Sequence, residues 1–269
     1  MRVSVISALV AAFIFTTPTL ADESPLFSLQ TGDAGKGWNA VGRLNLGTQG
    51  FCTGTLIDPQ LVLTAAHCLY DKSTGARMED TDIEFLAGWR NGRAEAYRSV
   101  VRAVAHPDYI YAGVDSLDRV AFDLALLQLD QPIRLPSVKP FETGARPARG
   151  DEVGVVSYAQ NRAEAPSLQQ VCHVLDQSPV VLVLSCNVDF GSSGAPIFSI
   201  QDGVARIVSV VSAKADVDGE KVALGTALEG PLAVLRAELS KGDRLTSLRG
   251  GTVRILSGGT GGGAKFIKP

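Results

Sequence analysis

Three polar residues of this sequence, each set among small or apolar neighbours, have side chains that can do chemistry together. His67 follows an apolar run, Asp123 opens another, and Ser193 lies in the glycine-containing stretch 191–194. An imidazole can take the proton of a hydroxyl while a carboxylate orients its ring, and this pairing turns a serine into a nucleophile. Together the three segments predict nucleophilic catalysis by Ser193.

Each of these residues also has a plain structural interpretation. A histidine beside a strand is more often structural than catalytic, an aspartate commonly occupies the turn before a strand, and a Gly-Ser turn is a common loop. The catalytic interpretation depends on finding all three segments in one chain that is also expected to be exported, as the N-terminal pattern described below indicates. In that interpretation the N–H groups of Gly191 and Ser193 converge to form an oxyanion hole.

The segments around these residues favour short strands joined by turns. Glycine and proline are plentiful, with 28 and 13 copies, and long heptad patterns are missing, which favours an all-β chain over a helical bundle. Strand-type runs occur at 40–46, 53–57, 61–64, 83–87, 97–104, 124–129, 152–158, 169–175, 180–186, 195–199, 205–212 and 222–228. A proline-rich linker, 134–150, divides the runs into two sets, and 232–239 is predicted as a helix.

The N-terminal stretch has the pattern of a signal peptide. Arg2 precedes an apolar run over 5–15, and small residues at positions 19 and 21 suit cleavage after Ala21. A membrane anchor is the alternative, but the run is shorter than the ~20 residues that span a bilayer. We therefore expect residues 1–21 to be removed and the chain to be secreted or periplasmic, with no membrane attachment afterwards.

The remaining terminal segments and the charge set further expectations. Residues 22–36 are polar and contain glycine, which indicates a flexible leader or short pro-segment, and 242–269 is expected to be a flexible glycine-rich tail. The formal net charge is −3, which argues against the concentrated positive field that a nucleic-acid backbone requires. A monomer without a nucleic-acid partner is expected.

The chemistry-bearing segments resemble the signature segments of the trypsin/chymotrypsin family of serine proteases. They occur in the family's order of histidine, aspartate and serine, and the resemblance extends over roughly 38–240. The segments are Thr64-Ala-Ala-His67-Cys68, Asp123-Leu-Ala-Leu-Leu and Gly191-Ser-Ser193-Gly-Ala-Pro196.

This resemblance implies an all-β, chymotrypsin-like fold of two packed six-stranded antiparallel β-barrels with a C-terminal helix. The barrels would cover 37–140 and 141–241, with His67 and Asp123 in the first and Ser193 in the second. It also implies a serine endopeptidase that hydrolyses protein or peptide substrates through an acyl-enzyme intermediate and needs no cofactor. His106 matches a surface-loop pattern of the family and is expected to be structural, whereas His173 matches no family role.

One departure from the family concerns activation. Trypsin-type enzymes have an acidic residue just before the catalytic serine, which pairs with a freed N-terminus, whereas here that position is Ser192. The nearest match to the family's activated N-terminus, Ala40-Val-Gly42, lies in the first predicted strand. We therefore hypothesise that activation by insertion of a freed N-terminus is absent. The Gly-Ser-Ser-Gly stretch is similar to bacterial members such as the glutamyl endopeptidases.

The four cysteines allow three disulfide pairings. We favour Cys52 with Cys68, which would close the hairpin that carries His67, and Cys172 with Cys186, which would tie two strands just before the serine loop. Metal binding is the rival interpretation, but both C-x-x-C and H-E-x-x-H are missing. No metal is expected.

Substrate preference is less well defined. By the resemblance, the specificity pocket would be lined by residues near Asn187 and Val188, by Ser212 to Lys214, and by Gly225 to Ala227. No aspartate clearly occupies its floor, which argues weakly against a preference for lysine or arginine. Lys214 either points inward, where it would attract an acidic side chain, or is solvated as most lysines are.

Two other classes of function are weighed against the endopeptidase. An inactive protease-fold binding module is one alternative, although such relatives usually lose a catalytic residue and all three are present here. An α/β-hydrolase esterase is another. That fold requires a G-x-S-x-G elbow and a histidine after the serine, and no histidine follows Ser193.

Overall fold

The computed structural model describes residues 23–111, 117–217 and 219–250. The predicted signal peptide and the tail beyond Gly250 lie outside these residues. The strands are β1 (Phe27–Ser28), β2 (Val41–Leu46), β3 (Phe51–Asp58), β4 (Leu61–Thr64), β5 (Ile83–Ala87), β6 (Ala96–Ala105), β7 (Ala125–Leu129), β8 (Glu152–Ala159), β9 (Arg162–Gln177), β10 (Val181–Leu184), β11 (Pro196–Gln201), β12 (Val204–Val217) and β13 (Glu220–Ala227). The α-helices are α1 (Leu117–Ala121) and α2 (Pro231–Gly250).

The first barrel is a closed antiparallel sheet in the order β2-β3-β4-β7-β6-β5. Strand β2 shows the two-residue alternation of a surface with one buried face, since Leu44 and Leu46 are buried while Arg43 and Asn45 are half-buried. The strands β3, β4, β5 and β7 are instead buried along most of their length. The pairing of β4 with β7 matters for the site because it sets Thr64 opposite Ala125. The residues that follow β4 therefore lie beside those that precede β7.

The second barrel consists of β9-β10-β13-β12-β11-β8 and closes through the pairing of β8 with β9. The expected fold of two six-stranded antiparallel barrels with a C-terminal helix is confirmed. Between β7 and β8 the chain makes only one isolated bridge, from Thr143 to Ile207. Trp38, Phe141 and Phe198 form an aromatic cluster, with ring centroids 4.7 to 5.8 Å apart, that packs the two barrels together.

Four elements differ from the sequence predictions. β1 lies in the predicted leader, α1 was not predicted, and α2 continues to Gly250, into the predicted tail. β9 begins at Arg162 and not near 169, because its first residues form a hairpin with β8 that sets Arg162 opposite Ala159. Within the described ranges, no helix is long and apolar enough to cross a membrane.

Candidate active site

His67 and Asp123 form a buried hydrogen-bonded pair in the first barrel. His67 lies in a short 3₁₀ helix, Ala66–Leu69, directly after β4, and Asp123 lies just before β7. The Asp123 carboxylate accepts the His67 backbone N–H at 2.8 Å and its ring Nδ1–H at 2.6 Å. Because a carboxylate can only accept, the proton is on Nδ1 and Nε2 is left as an acceptor. This is the tautomer that a general base requires.

The second barrel contributes a further donor to Asp123. The carboxylate is only 1% exposed, so its charge must be compensated by hydrogen bonds. The Ser212 hydroxyl on β12 donates to Oδ2, the same oxygen that accepts from the His67 ring. Ser212 was predicted to bind substrate; the structure shows that its hydroxyl fixes the carboxylate, although the residue also lines the adjacent cavity.

Both favoured disulfides are confirmed. Cys52–Cys68 ties the helix that carries His67 to β3, and Cys172–Cys186 joins β9 to the segment before Ser193. The potential ligand atoms of Cys52, His67 and Cys68 lie within 4.8 Å of one another. Since both sulfurs are bonded in the disulfide, neither is available as the thiolate that a metal would require.

The loop that carries Ser193 depends on two glycines in left-handed backbone conformations. Gly191 has φ +97° and Gly194 has φ +79°. A Cβ at Gly194 would collide with Thr64 Oγ1 and the Thr53 carbonyl, and one at Gly191 would collide with the Phe51 ring. Only glycine fits both positions, which explains the glycine pattern read from the sequence.

The amides of Gly191 and Ser193 are oriented by the carbonyls that precede them. The Phe190 carbonyl accepts the Gln160 N–H at 2.7 Å, and the Ser192 carbonyl accepts the Ala195 N–H at 2.9 Å. Both peptide bonds are trans, so the following N–H groups point to the opposite side. Across the described residues, neither N–H donates to a protein acceptor. The two amides predicted to form the oxyanion hole are therefore unused by the fold.

Thr53 holds this loop in place and was not identified from the sequence. Its N–H donates to the Ser193 carbonyl at 2.8 Å, and its hydroxyl donates to the Gly191 carbonyl at 2.9 Å. The same hydroxyl accepts the Tyr158 N–H at 3.1 Å. Nothing in the sequence signals this role, because a threonine in a strand is ordinary and its partners are more than 100 positions away.

Ser193 is half-buried and shares a cavity of about 710 Å³ with His67. Within the described parts of the chain, no hydrogen bond joins the Ser193 hydroxyl to the His67 ring. Catalytic hydrogen bonds are often long in unliganded enzymes and tighten when substrate binds. The structure thus joins His67 to Asp123 directly and places Ser193 in the same cavity without a bond to the imidazole.

A second cavity of about 400 Å³ also borders His67 and shares Lys72 and Phe190 with the larger one. It is mostly apolar, with Leu46, Phe51 and Met78 among its lining residues, and Gly191 forms part of its wall. His67 lines both cavities, whereas Ser193 lines only the larger one.

The larger cavity contains an ion pair that bears on specificity. Lys214 Nζ lies 3.4 Å from Asp189 Oδ1, and both side chains are about two-fifths exposed. The hydrogen bond from the Phe190 N–H is the main cause that lowers the pKa of the Asp189 carboxyl, and the nearby Lys214 cation lowers it further. Of the residues predicted to line the pocket, Val188 and 212–214 line this cavity, whereas the exposed Asn187 and 225–227 are not among its lining residues. Asp189, which was not predicted, lines it as well. Lys214 does line the cavity, with its charge compensated.

Ser192 is completely buried beside an arginine. Its hydroxyl lies 3.1 Å from the Tyr158 carbonyl and 3.3 Å from Arg162 Nη2, which also donates to the Ser157 hydroxyl at 2.9 Å. Burial lowers the pKa of the Arg162 guanidinium, although the nearby Asp189 carboxylate partly offsets this. A cation from β9 therefore lies beside Ser192, the position at which trypsin-type enzymes carry an acidic residue.

The other two histidines lie apart from these cavities. His106 is buried, stacks on Phe122 with ring centroids 5.0 Å apart, and has its pKa lowered by burial. This packing agrees with the structural role expected for it. His173 lies in β9 of the second barrel, where its backbone N–H donates to the Ser185 hydroxyl at 2.9 Å.

Comparisons with known proteins agree with this architecture. Residues 31–224 match the protein family described as Trypsin. Human Kallikrein-10 is 35% identical over 116 residues, which are 42% of this chain and 40% of that protein. Coagulation factor IX of Cavia porcellus is 32% identical over 98 residues, 35% of this chain and 30% of that protein. The chain thus spans less than half the length of the curated relatives it matches.

A solved structure, described as that of a Glu endopeptidase in complex with MPD, superimposes on the chain with a TM-score of 0.62. The superposition covers 75% of this chain and 91% of that one, at 17% sequence identity. At this level of identity, the similarity establishes a shared fold.

Proposed function

The chain belongs to the trypsin family, and from this premise we propose that it is a serine endopeptidase with His67, Asp123 and Ser193 as its catalytic residues. One observation carries the proposal. The buried Asp123 carboxylate orients His67 with Nε2 as an acceptor, in the cavity that holds the Ser193 hydroxyl. A histidine in this state can remove the proton of the hydroxyl as it attacks a carbonyl.

The proposed reaction is acyl transfer to Ser193. As the hydroxyl attacks the scissile carbonyl, His67 takes its proton and Asp123 stabilises the resulting imidazolium. The negative charge that develops on the carbonyl oxygen is held by the Gly191 and Ser193 amides, which the fold leaves unpaired. His67 then gives the proton to the leaving amine, and water, activated by the same imidazole, releases the acyl group.

The two cavities supply binding sites for the two halves of a peptide. The acyl half becomes attached to Ser193, so it must lie in the larger cavity, which Ser193 lines. The leaving half then occupies the smaller, apolar cavity beside Phe51 and Met78. This assignment predicts an apolar residue after the cleaved bond.

We extend the proposal to a glutamyl-endopeptidase-like, bacterial branch and to an exported protein. The branch is supported by Ser192 in place of an acidic residue and by Lys214 in the cavity that Ser193 lines. Export is supported by the two disulfides, since such bonds persist in oxidising compartments. A protein or peptide substrate follows from family membership.

The charge of the larger cavity provides a test of specificity. Lys72, Arg119 and Lys214 line it together with the Asp189 carboxylate, which stays ionised at neutral and mildly acidic pH because its pKa is lowered. Asp189→Asn should raise kcat/KM for peptides with glutamate before the cleaved bond by about fivefold to tenfold relative to alanine peptides, because it removes a like charge. An unchanged glutamate-to-alanine ratio would show that Asp189 does not face the substrate. Asp216→Asn is the control, because Asp216 is an exposed aspartate on β12, the strand that carries Lys214, and does not line this cavity.

A binding module without catalysis is the second candidate, because no hydrogen bond connects the Ser193 hydroxyl to His67 among the residues described. Active-site labelling separates the two. A fluorophosphonate probe should label the folded protein at Ser193, as mapped by peptide mass spectrometry, and should leave the heat-denatured protein unlabelled. A cleavage profile on a peptide library completes the test. A folded protein that neither reacts with the probe nor cleaves any peptide is the result expected of a binding module.

A further inference from the structure

The segment predicted to be a leader is packed against the second barrel as an extra edge strand. β1 pairs with β9, with Phe27 opposite Leu168 and Ser28 opposite Ser167. Leu29, which follows, is only 1% exposed and belongs to the main apolar core. This segment therefore contributes both backbone hydrogen bonds and buried surface to the fold.

Ser24 fixes the beginning of this segment on the same strand. Its N–H donates to the Val171 carbonyl at 3.0 Å, and its hydroxyl accepts the Val171 N–H at 2.8 Å. That hydroxyl also donates to the Val171 carbonyl at 3.4 Å, and the Ser24 carbonyl accepts the side-chain amide of Gln169 at 3.1 Å. All four bonds attach Ser24 to β9.

Gln169 connects this segment to the loop that carries Ser193. The side chain is buried, at 3% exposure, and both ends of its amide are used. While Nε2 donates to the Ser24 carbonyl, Oε1 accepts the Asn187 backbone N–H at 2.7 Å. Asn187 follows the disulfide-bonded Cys186 and directly precedes Val188 and Asp189, which line the larger cavity. A single amide therefore spans from the N-terminal segment to the wall of the proposed active site.

We propose that residues 24–29 are a permanent part of the active enzyme and that Gln169 is a positioning residue through which they hold the 187–193 loop. The proposal rests on the endopeptidase function proposed above. Removal of the segment would leave a buried donor on Gln169 without a partner, expose the edge of β9 and empty the site of Leu29. A segment with these contacts is not a pro-segment whose removal activates the enzyme.

Substitutions at Gln169 test the positioning role. Gln169→Leu removes both hydrogen bonds and should lower the rate of fluorophosphonate labelling and kcat/KM by at least tenfold. Gln169→Glu keeps an acceptor for the Asn187 N–H and should retain more of the labelling rate. Val174→Ala, a buried site on the same strand, is the control for loss of stability, and it should lower Tm while the labelling rate stays within twofold of the unmodified protein.

Three results would overturn the positioning role. They are an unchanged labelling rate in Gln169→Leu, equal losses in Gln169→Leu and Gln169→Glu, and a loss in Val174→Ala as large as that in Gln169→Leu. Each is measured relative to the unmodified protein, well below the Tm of every variant. If the unmodified protein is not labelled at all, the endopeptidase proposal fails instead, so the two failures are distinguishable.

Mass spectrometry of the labelled protein tests whether the segment is retained. The intact mass of the fluorophosphonate adduct should correspond to a chain that begins at or before Ser24. A labelled form that begins after Leu29 would overturn the proposal. As a second test, a chain that lacks residues 22–29 should be labelled at least tenfold more slowly than the full chain, and labelling at the same rate would contradict the inference.

Discussion

Ser193→Ala should lower kcat for peptide hydrolysis by about 10⁶ and abolish fluorophosphonate labelling, the size of loss found when the nucleophile of a serine protease is removed. The reason is that no other described hydroxyl combines access to the larger cavity with a position beside two unused backbone amides. The variant should fold normally, because the Ser193 hydroxyl makes no hydrogen bond in the described structure and only its backbone carbonyl is held, by Thr53. Thermal unfolding would check the fold, and labelling and peptide turnover would check the chemistry.

The neighbouring serine provides a matched control for this prediction. The Ser192 hydroxyl is buried against the Tyr158 carbonyl and the Ser157 hydroxyl, so it has no access to substrate. Ser192→Ala should retain labelling, while the loss of buried hydrogen bonds should lower the free energy of unfolding by about 1–3 kcal/mol. If labelling persisted in Ser193→Ala and disappeared in Ser192→Ala, the assignment of the nucleophile would be wrong.

The barrel strands and both disulfides could be predicted because their signals are local. Ile83, Phe85 and Leu86, for example, belong to a short strand-type run, which indicates a strand without knowledge of its partners. The second disulfide closes a short loop between Cys172 and Cys186, 14 positions apart, and was favoured because it would tie two strands just before the serine loop. The glycines around Ser193 were equally visible, because only glycine adopts their backbone conformations without strain.

The residues that support the site could not be predicted because their partners are distant in sequence. Ser212 reaches Asp123 across 89 positions, and Thr53 reaches Gly191 across 138. Neither residue type is unusual in a strand, so its role becomes visible only when the two barrels are packed together. The same reason concealed Gln169, whose side-chain partner Ser24 is 145 positions away.

The ion pair in the larger cavity illustrates a limit of residue-by-residue reasoning. Lys214 was considered either as an inward-pointing cation for an acidic substrate or as a solvated residue. In the structure it lines the cavity but is paired with Asp189, so neither description is complete. The charge that a substrate meets depends on Asp189 as well as on Lys214. Asp189 belongs to the loop that precedes Ser193, whereas Lys214 lies on β12.

Asp123→Asn should lower kcat/KM by about 10⁴, as removal of the corresponding charge does in serine proteases of this mechanism. In the structure, three donors converge on the carboxylate, namely the His67 N–H, the His67 ring and the Ser212 hydroxyl. An asparagine has one oxygen and an NH₂ group, so its amide must present hydrogens to at least one of these donors. Transfer of the His67 ring proton from Nδ1 to Nε2 relieves this conflict. In that tautomer Nε2 can no longer accept the proton of the Ser193 hydroxyl.

The pH dependence of the variant distinguishes this explanation from simple unfolding. The rate in Asp123→Asn should recover in part at high pH, where hydroxide or a deprotonated nucleophile replaces the lost base, while Tm stays well above the assay temperature. Asp108→Asn, an exposed aspartate beside the structural His106, is the matched control and should leave kcat/KM within about twofold, as expected for a surface charge. If Asp123→Asn retained more than a tenth of the original kcat/KM, Asp123 would have only a packing role in the barrel. Another group would then have to hold the His67 ring proton on Nδ1.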